Sequence, residues 1–306
     1  MRYAVLGAGG TGGAIGACLA KGGKDSVIIA RGEHLRIMQE NGLTVRHQWD
    51  GSEETISVNA CSAEDYPGKA DVIFVCVKGY SLDSAVPFIR MASGPQTAVI
   101  PILNIFGAGK CLQGRFPDAY VLDGCIYVSA NREAPGILLQ HSPVVRIVYG
   151  PRQGQENRRS LADIEEDLKG CGIAPVYSSH IERDCLEKFS YVSPIGAAGI
   201  YLNATAGDFQ KEGTARELFK AMVREVENLA AAMGFAFEKD YVESDLEILS
   251  GFAPGTTTSM QRDVMAGRAS EVDGLVYQVV RLAHKYGINV PEYEKVAAEL
   301  QSRGLR

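Results

Sequence analysis

A glycine-rich run, Gly7-Ala8-Gly9-Gly10-Thr11-Gly12, follows directly on the apolar residues Tyr3-Ala4-Val5-Leu6, and a second strand-like run, Val27-Ile28-Ile29, leads to Arg31. A strand feeding a glycine turn and then a helix is how a dinucleotide-binding unit holds a pyrophosphate. The turn brings backbone N–H groups and the positive end of the helix to the phosphates. In this pattern Gly7 permits the turn, Gly9 lets the backbone approach the diphosphate, and Gly12 lets the helix pack close to the strand. The small residues from Ala14 to Leu19, including Gly16, supply that helix. NAD(H) sites place an acid after the second strand to grip the ribose 2′-hydroxyl; Arg31 is instead a cation suited to a 2′-phosphate. The cofactor expected is NADP(H).

Hydride transfer to a ketone also requires a proton for the nascent alkoxide and groups that orient the carbonyl and bind the substrate's charge. Lys78 closes the apolar run that begins at Asp71, and Asn104 ends Pro101-Ile102-Leu103. Both stand near the carboxyl ends of strands, where such sheets bind ligands. Further on, Lys188 precedes an apolar, small-residue stretch, so it either snorkels from a buried helix or faces a cleft. A lysine's reference pKa of about 10.4 leaves it protonated at neutral pH and able to act as a general acid. Ser259, Asp263 and Glu271 lie around two polar helix starts, where simple helix capping would also explain Ser259 and Glu271.

The elements that must position these groups change character along the 306 residues. Strand signals at 2–6, 26–30, 71–77, 97–103 and 119–128 alternate with helical patterns at 33–41, 81–93 and 107–114. Such alternation predicts an α/β fold, a Rossmann-type doubly wound parallel sheet. Residues 43–59 read as a hairpin inserted in that sheet, turning at Asp50-Gly51, and 137–149 as a second β-rich region closed by Gly150-Pro151. Beyond 180 the chain reads as helices alone, at about 181–192, 213–233, 239–250, 258–267, 270–286 and 291–302, with Gly234 and Gly287 as C-caps. The expected division is a nucleotide-binding domain over 1–179 and an all-helical C-terminal domain over 180–306, with the active site in the cleft between them.

Composition narrows the function classes. A net charge of −6 without a basic block gives nucleic acid no electrostatic footprint. No apolar run approaches a membrane span, and the first strand begins at once, without room for a signal peptide; the expectation is a cytoplasmic protein. Seven scattered cysteines without a C-x-x-C pair read as small buried hydrophobes, and five histidines far apart give metal catalysis no support. The apolar stretch 192–206 suits either domain core or a subunit interface, so a monomer and a homodimer are both compatible.

In their order along the chain, GAGGTG, Arg31, VKGY with Lys78, LN with Asn104, EKF with Lys188, and the pattern of Ser259, Met260, Asp263 and Glu271 together resemble the ketopantoate reductase (2-dehydropantoate 2-reductase) family. The resemblance implies a Rossmann domain plus a helical domain of the 6-phosphogluconate dehydrogenase type, and reduction of a small anionic 2-oxo acid with NADPH. It implies that Lys188 protonates the carbonyl oxygen and that Glu271 orients the substrate hydroxyl and the ammonium. Asn104 and Ser259 would bind the carboxylate or carbonyl end, with Asp263 beside them. Lys78 would sit near the nicotinamide ribose and the substrate, and Arg31 on the 2′-phosphate. The chain departs from the family pattern at the positions four and eight after the lysine, where asparagines give way to Val192 and Gly196, and after Asn104, where Ile105 replaces a glycine. Losing two buried amides removes hydrogen bonds worth about 1 kcal/mol each. A different branched 2-oxo acid, or a non-catalytic NADP(H) sensor, stands as the alternative.

Overall fold

The computed structural model of the chain describes residues 1–155 and 161–306. They form two compact units, one of Met1–Leu103 with Gly107–Ile181, the other of Asn104–Phe106 with Glu182–Arg306. The first unit holds β1 (Arg2–Leu6), α1 (Gly10–Lys21), β2 (Asp25–Ile29), α2 (Gly32–Asn41), β3 (Leu43–His47), β4 (Glu53–Ile56), β5 (Asn59–Cys61) and β6 (Ala70–Val75). It continues through α3 (Leu82–Ala92), β7 (Ser93–Pro101), α4 (Ala108–Arg115), β8 (Tyr120–Val121), β9 (Asp123–Ala134), β10 (Ile137–Gly150), α5 (Ala162–Gly170) and β11 (Ala174–Tyr177).

Six strands form an all-parallel sheet in the order β5-β2-β1-β6-β7-β8. The buried stretches of the central strands, residues 3–6, 72–75 and 98–100, are uninterrupted apolar runs because a parallel sheet is covered on both faces; Tyr3, Val5, Val72, Phe74, Ala98 and Ile100 are fully buried in one core with α1 and α5. The first strand pairs in register with both neighbours, Val5 opposite Ile28 and Phe74.

A second sheet, β11-β10-β3-β4 with β9 on β10, corrects two expectations. The hairpin of β3 and β4 belongs to this sheet rather than to the nucleotide-binding one, because Thr44 to His47 pair with Ile137 to Gln140 of β10. The expected strand 119–128 is two strands: β8 closes the first sheet, and after Leu122 the chain enters the second as β9. The second expected β region is β10, the antiparallel partner of β9.

The second unit is helical: α6 (Ile181–Leu202), α7 (Ala206–Gln210), α8 (Thr214–Ala232), α9 (Tyr241–Ser250), α10 (Ser259–Met265), a π-helical turn over Asp273–Tyr277, α11 (Gln278–Tyr286) and α12 (Pro291–Ser302). Its core gathers Phe189, Phe209, Phe219, Met222, Val226 and Tyr293. α6 runs well past the expected 192, through Pro194. Proline removes one helical N–H, a cost offset by burying Ile195, Ala197, Ala198 and Ile200 on the next turns. The expected helix 270–286 is also divided, with the π turn taking its first part. Gly287 is left-handed at the end of α11, and Gly234 also has a positive φ just beyond α8.

Candidate functional site

In the first unit the strand order reverses at β1 and β6, so the loops leaving their carboxyl ends diverge and open the crevice in which such sheets bind ligands. The glycine run is the loop after β1. Gly7 has φ +101°, and a Cβ there would lie 3.0 Å from the carbonyl oxygen of Cys76, in the loop after β6. A Cβ on Gly12 would lie 1.9 Å from Gly7 O, and one on Gly10 would lie 2.1 Å from Ala130 O on β9. Gly9 differs from these, since a Cβ there would meet nothing within 4 Å. Gly9 also caps α1, whose first turn has no side-chain cap and no acidic residue, with Thr11 part-exposed within it. Open space over a glycine at an uncapped helix start fits a diphosphate. The glycines thus divide their work: Gly10 and Gly12 permit close packing, while Gly9 is the one facing open space.

Arg31 stands two residues beyond β2, exposed, as the N-cap of α2, and its guanidinium has no partner among the described residues. Lys78 lies three residues past the end of β6, part-exposed, and its carbonyl accepts from Ser81 N in the short helical turn that follows.

In the second unit four pieces of chain converge. Lys188, on the second turn of α6, donates from Nζ to Asn104 Oδ1 at 2.8 Å, joining residues 84 apart in sequence. A charge-assisted bond of this kind is worth about 1.5–3 kcal/mol. It leaves the Asn104 Nδ2 donors without a partner among the described residues. The next residue, Ile105, fits against the π turn, because its Cγ2 lies 2.4 Å from where a Cβ on Gly274 would stand. Gln278 Nε2 then donates to Phe106 O at 2.8 Å. The β-branched residue after Asn104 is therefore accommodated by a glycine 169 positions later. The π turn is fixed on α6 as well, where Ser193 Oγ donates to Leu275 O at 2.5 Å. π turns inside α-helices recur at functional sites.

Glu271 sits immediately before this turn, only 4% exposed, and its carbonyl accepts from Leu275 N. Ser259 is not the cap of its helix: Thr258 caps α10, its Oγ1 accepting from Gln261 N, and the part-buried Ser259 hydroxyl has no partner among the described residues. The carboxylate of Asp263 is engaged by Arg268 at 2.9 Å, on α10. Val192 and Gly196 continue the helical face of Lys188. Val192 packs on the helical core, and the space where Gly196 lacks a side chain holds the Met260 methyl, 2.7 Å from an ideal Cβ, with Thr258 Oγ1 at 3.7 Å. The position that could carry an amide is filled by an apolar group from α10.

The structure thus brings Lys188 and Asn104 into direct contact and packs the segments bearing Ser259 and Glu271 onto the same helix or its partner loop. Sequence reading missed Gly274, whose only signal is that it complements the departure at Ile105, and named Met260 only as part of the family pattern, not as the group that fills the space at Gly196. Among the described residues no group of three His, Cys, Asp or Glu side chains could hold a metal ion, and no helix is long and apolar enough to cross a membrane.

Two family profiles match this chain: "Ketopantoate reductase PanE/ApbA" over residues 3–154 and "Ketopantoate reductase PanE/ApbA C terminal" over residues 180–303. A 2-dehydropantoate 2-reductase of Mesorhizobium japonicum is 29% identical over 323 aligned positions, covering 97% of this chain and 96% of that one. Among solved structures, a 2-dehydropantoate 2-reductase of Geobacter metallireducens shares the fold with a TM-score of 0.90 at 23% identity, covering 99% of this chain and 100% of that one. A D-mandelate dehydrogenase solved with NADH and anilino(oxo)acetate does so with a TM-score of 0.87 at 20% identity, covering 99% and 98%.

Proposed function

Because the chain belongs to the ketopantoate reductase family and is an oxidoreductase, we propose that it reduces a small anionic 2-oxo acid to the 2-hydroxy acid with NADPH, 2-dehydropantoate being the first substrate to test. The observation that carries the reading is the Lys188–Asn104 hydrogen bond, which sets an ammonium beside an amide with donors to spare. The glycine turn of Gly7, Gly9 and Gly12 would hold the nicotinamide cofactor, whose chemistry would be the supply of a hydride to a carbonyl carbon. Lys188 gives a proton to the carbonyl oxygen and regains one from water, so that C=O becomes CH–OH. Asn104 Nδ2 and the Ser259 hydroxyl donate to the carboxylate end, with Asp263 behind them on α10. Glu271 orients the ammonium and the substrate hydroxyl. Preorganised donors of this kind favour the alkoxide-like transition state over the ketone. Arg31, exposed and unpartnered, supports NADPH over NADH, and Lys78 serves the nicotinamide ribose.

A second substrate reading has its own observation. Val192 and the Met260 methyl at Gly196 give that face of α6 an apolar lining, which suits a branched 2-oxo acid without a hydroxyl. NADPH consumption measured with 2-dehydropantoate, 2-oxoisovalerate and trimethylpyruvate tests both. Turnover of 2-dehydropantoate at least tenfold above the others supports the first substrate. The reverse ratio supports the second. Binding of NADP+ with no consumption on any 2-oxo acid overturns the enzyme reading in favour of a sensor.

A further inference from the structure

His34, on the first turn of α2, is only 6% exposed, and both of its ring nitrogens are engaged by backbone. The Gly136 N–H points at Nδ1 across 2.8 Å, and Nε2 lies 2.9 Å from the carbonyl oxygen of Ala8. An amide N–H can only donate, so Nδ1 is the acceptor. The ring hydrogen is then on Nε2, which donates to Ala8. Ala8 is the residue between Gly7 and Gly9 of the glycine turn, and Gly136 closes the loop between β9 and β10 in a left-handed conformation, φ +74°. The imidazole therefore braces three things at once: the turn, the helix that begins beside Arg31, and the tip of the second sheet. A Cβ on Gly136 would come within 2.2 Å of Ile37 Cγ2, so the tip has little freedom to move away from α2.

We propose that His34 is a positioning residue for the dinucleotide, holding the glycine turn in its binding conformation only while its imidazole is neutral. The inference rests on the glycine turn being the cofactor's seat. A proton on Nδ1 would set one donor against another, Gly136 N–H, and would unseat the loop or the ring. Burial is the main influence holding the imidazole below its ordinary value of 6.5; the bond to Ala8 opposes it, and the Arg132 cation on β9 reinforces it. The other charged groups on the neighbouring elements are Arg31 at the N-cap of α2, Glu33, Arg36 and Glu40 on α2, Asp123 at the far end of β9 and Glu133 beside Arg132, and His141 and Arg146 on β10. Arg36 pairs with Glu33 and Glu133 pairs with Arg46, and residues 7–12 hold no titratable side chain. A neutral form favoured by folding is fully present above pH 6.5 and is lost as pH falls through the lowered value.

The test is calorimetric binding of NADP+ and of NAD+ from pH 8 to pH 5 to the full-length wild type and to His34→Gln and His34→Ala, with cofactor KM and kcat at pH 7.5. The wild type is expected to lose about tenfold in affinity for both nucleotides over this range, the worth of one buried hydrogen bond. His34→Gln is expected to lose that dependence for NAD+, and His34→Ala to raise the cofactor KM more than it lowers kcat. NADP+ carries a 2′-phosphate that titrates near pH 6, so a loss seen with NADP+ alone, and kept by His34→Gln, overturns the proposal. So does pH-independent NAD+ binding by the wild type, a result that needs no variant to fold. If the wild type binds neither nucleotide at any pH, the glycine-turn reading itself fails and takes this one with it.

Discussion

Gly9 and Gly12 belong to one motif, yet the structure assigns them opposite sensitivities. A methyl at Gly12 would stand 1.9 Å from the Gly7 carbonyl oxygen, a backbone atom held by the strand, so the start of α1 must shift away. Overpacking of this kind costs about 1–3 kcal/mol. At about 2–4 °C per kcal/mol for a domain of this size, Gly12→Ala should lower the melting temperature of the cofactor-free protein by about 2–12 °C. A methyl at Gly9 meets nothing within 4 Å, and its φ of −76° suits any residue. The cost is then only that of a poorer helix cap, about 0.5 kcal/mol and so about 1–2 °C. With the glycine turn as the proposed cofactor seat, the same methyl would stand where a diphosphate approaches backbone N–H groups, whose charge-assisted bonds are worth about 1.5–3 kcal/mol each. Gly9→Ala should therefore weaken NADP+ by about 10–100-fold. Differential scanning fluorimetry without nucleotide and calorimetry with it separate the two effects. If Gly9→Ala binds NADP+ as tightly as the wild type, or Gly12→Ala melts with it, the division of labour drawn from the geometry is wrong.

Lys188→Ala should reduce kcat by about a hundredfold or more, the usual worth of a positioned general acid, with NADP+ affinity kept; unchanged turnover would reduce the lysine to a structural partner of Asn104. Arg31→Ala should raise the KM for NADPH at least tenfold while leaving NADH within about twofold, and equal losses for both cofactors would remove the 2′-phosphate assignment. Asp245, 1% exposed on α9 with Ser190 Oγ at 3.3 Å, has its carboxyl pushed up to about 8, first by burial. Its folded value exceeds its unfolded one, so the stability it lends is complete below about pH 4 and is lost as pH rises toward 8. Asp245→Asn should therefore melt above the wild type by a margin that grows from pH 5 to pH 8, and thermal melts showing a constant margin would contradict this.

What could be read in the sequence was what is local. β1 and α1 announce themselves through an unbroken apolar run and glycines at fixed offsets, and the β3–β4 hairpin through Asp50-Gly51. The sheet to which that hairpin belongs was not legible, since its partner β10 lies some ninety residues on and its own alternation is the same in either sheet. α6 was read too short because Pro194 is a local stop signal that tertiary burial overrides. Lys188 and Asn104 are individually ordinary, and the resemblance to a family implied only that both serve one substrate, not their direct contact over 84 residues. His34 gave no pattern at all, because a lone histidine becomes informative only when the groups at both of its nitrogens are known.

The contact of Gly10 with Ala130 has a consequence for anyone dividing this molecule. The motif that begins at residue 7 finds its backing in a strand that starts only at Asp123, so the proposed cofactor cradle is assembled from segments far apart along its unit. A fragment ending after β7 would retain every glycine of the fingerprint yet lack the wall against which α1 is pressed. The smallest excised piece able to keep the cradle must extend through the β9–β10 ribbon.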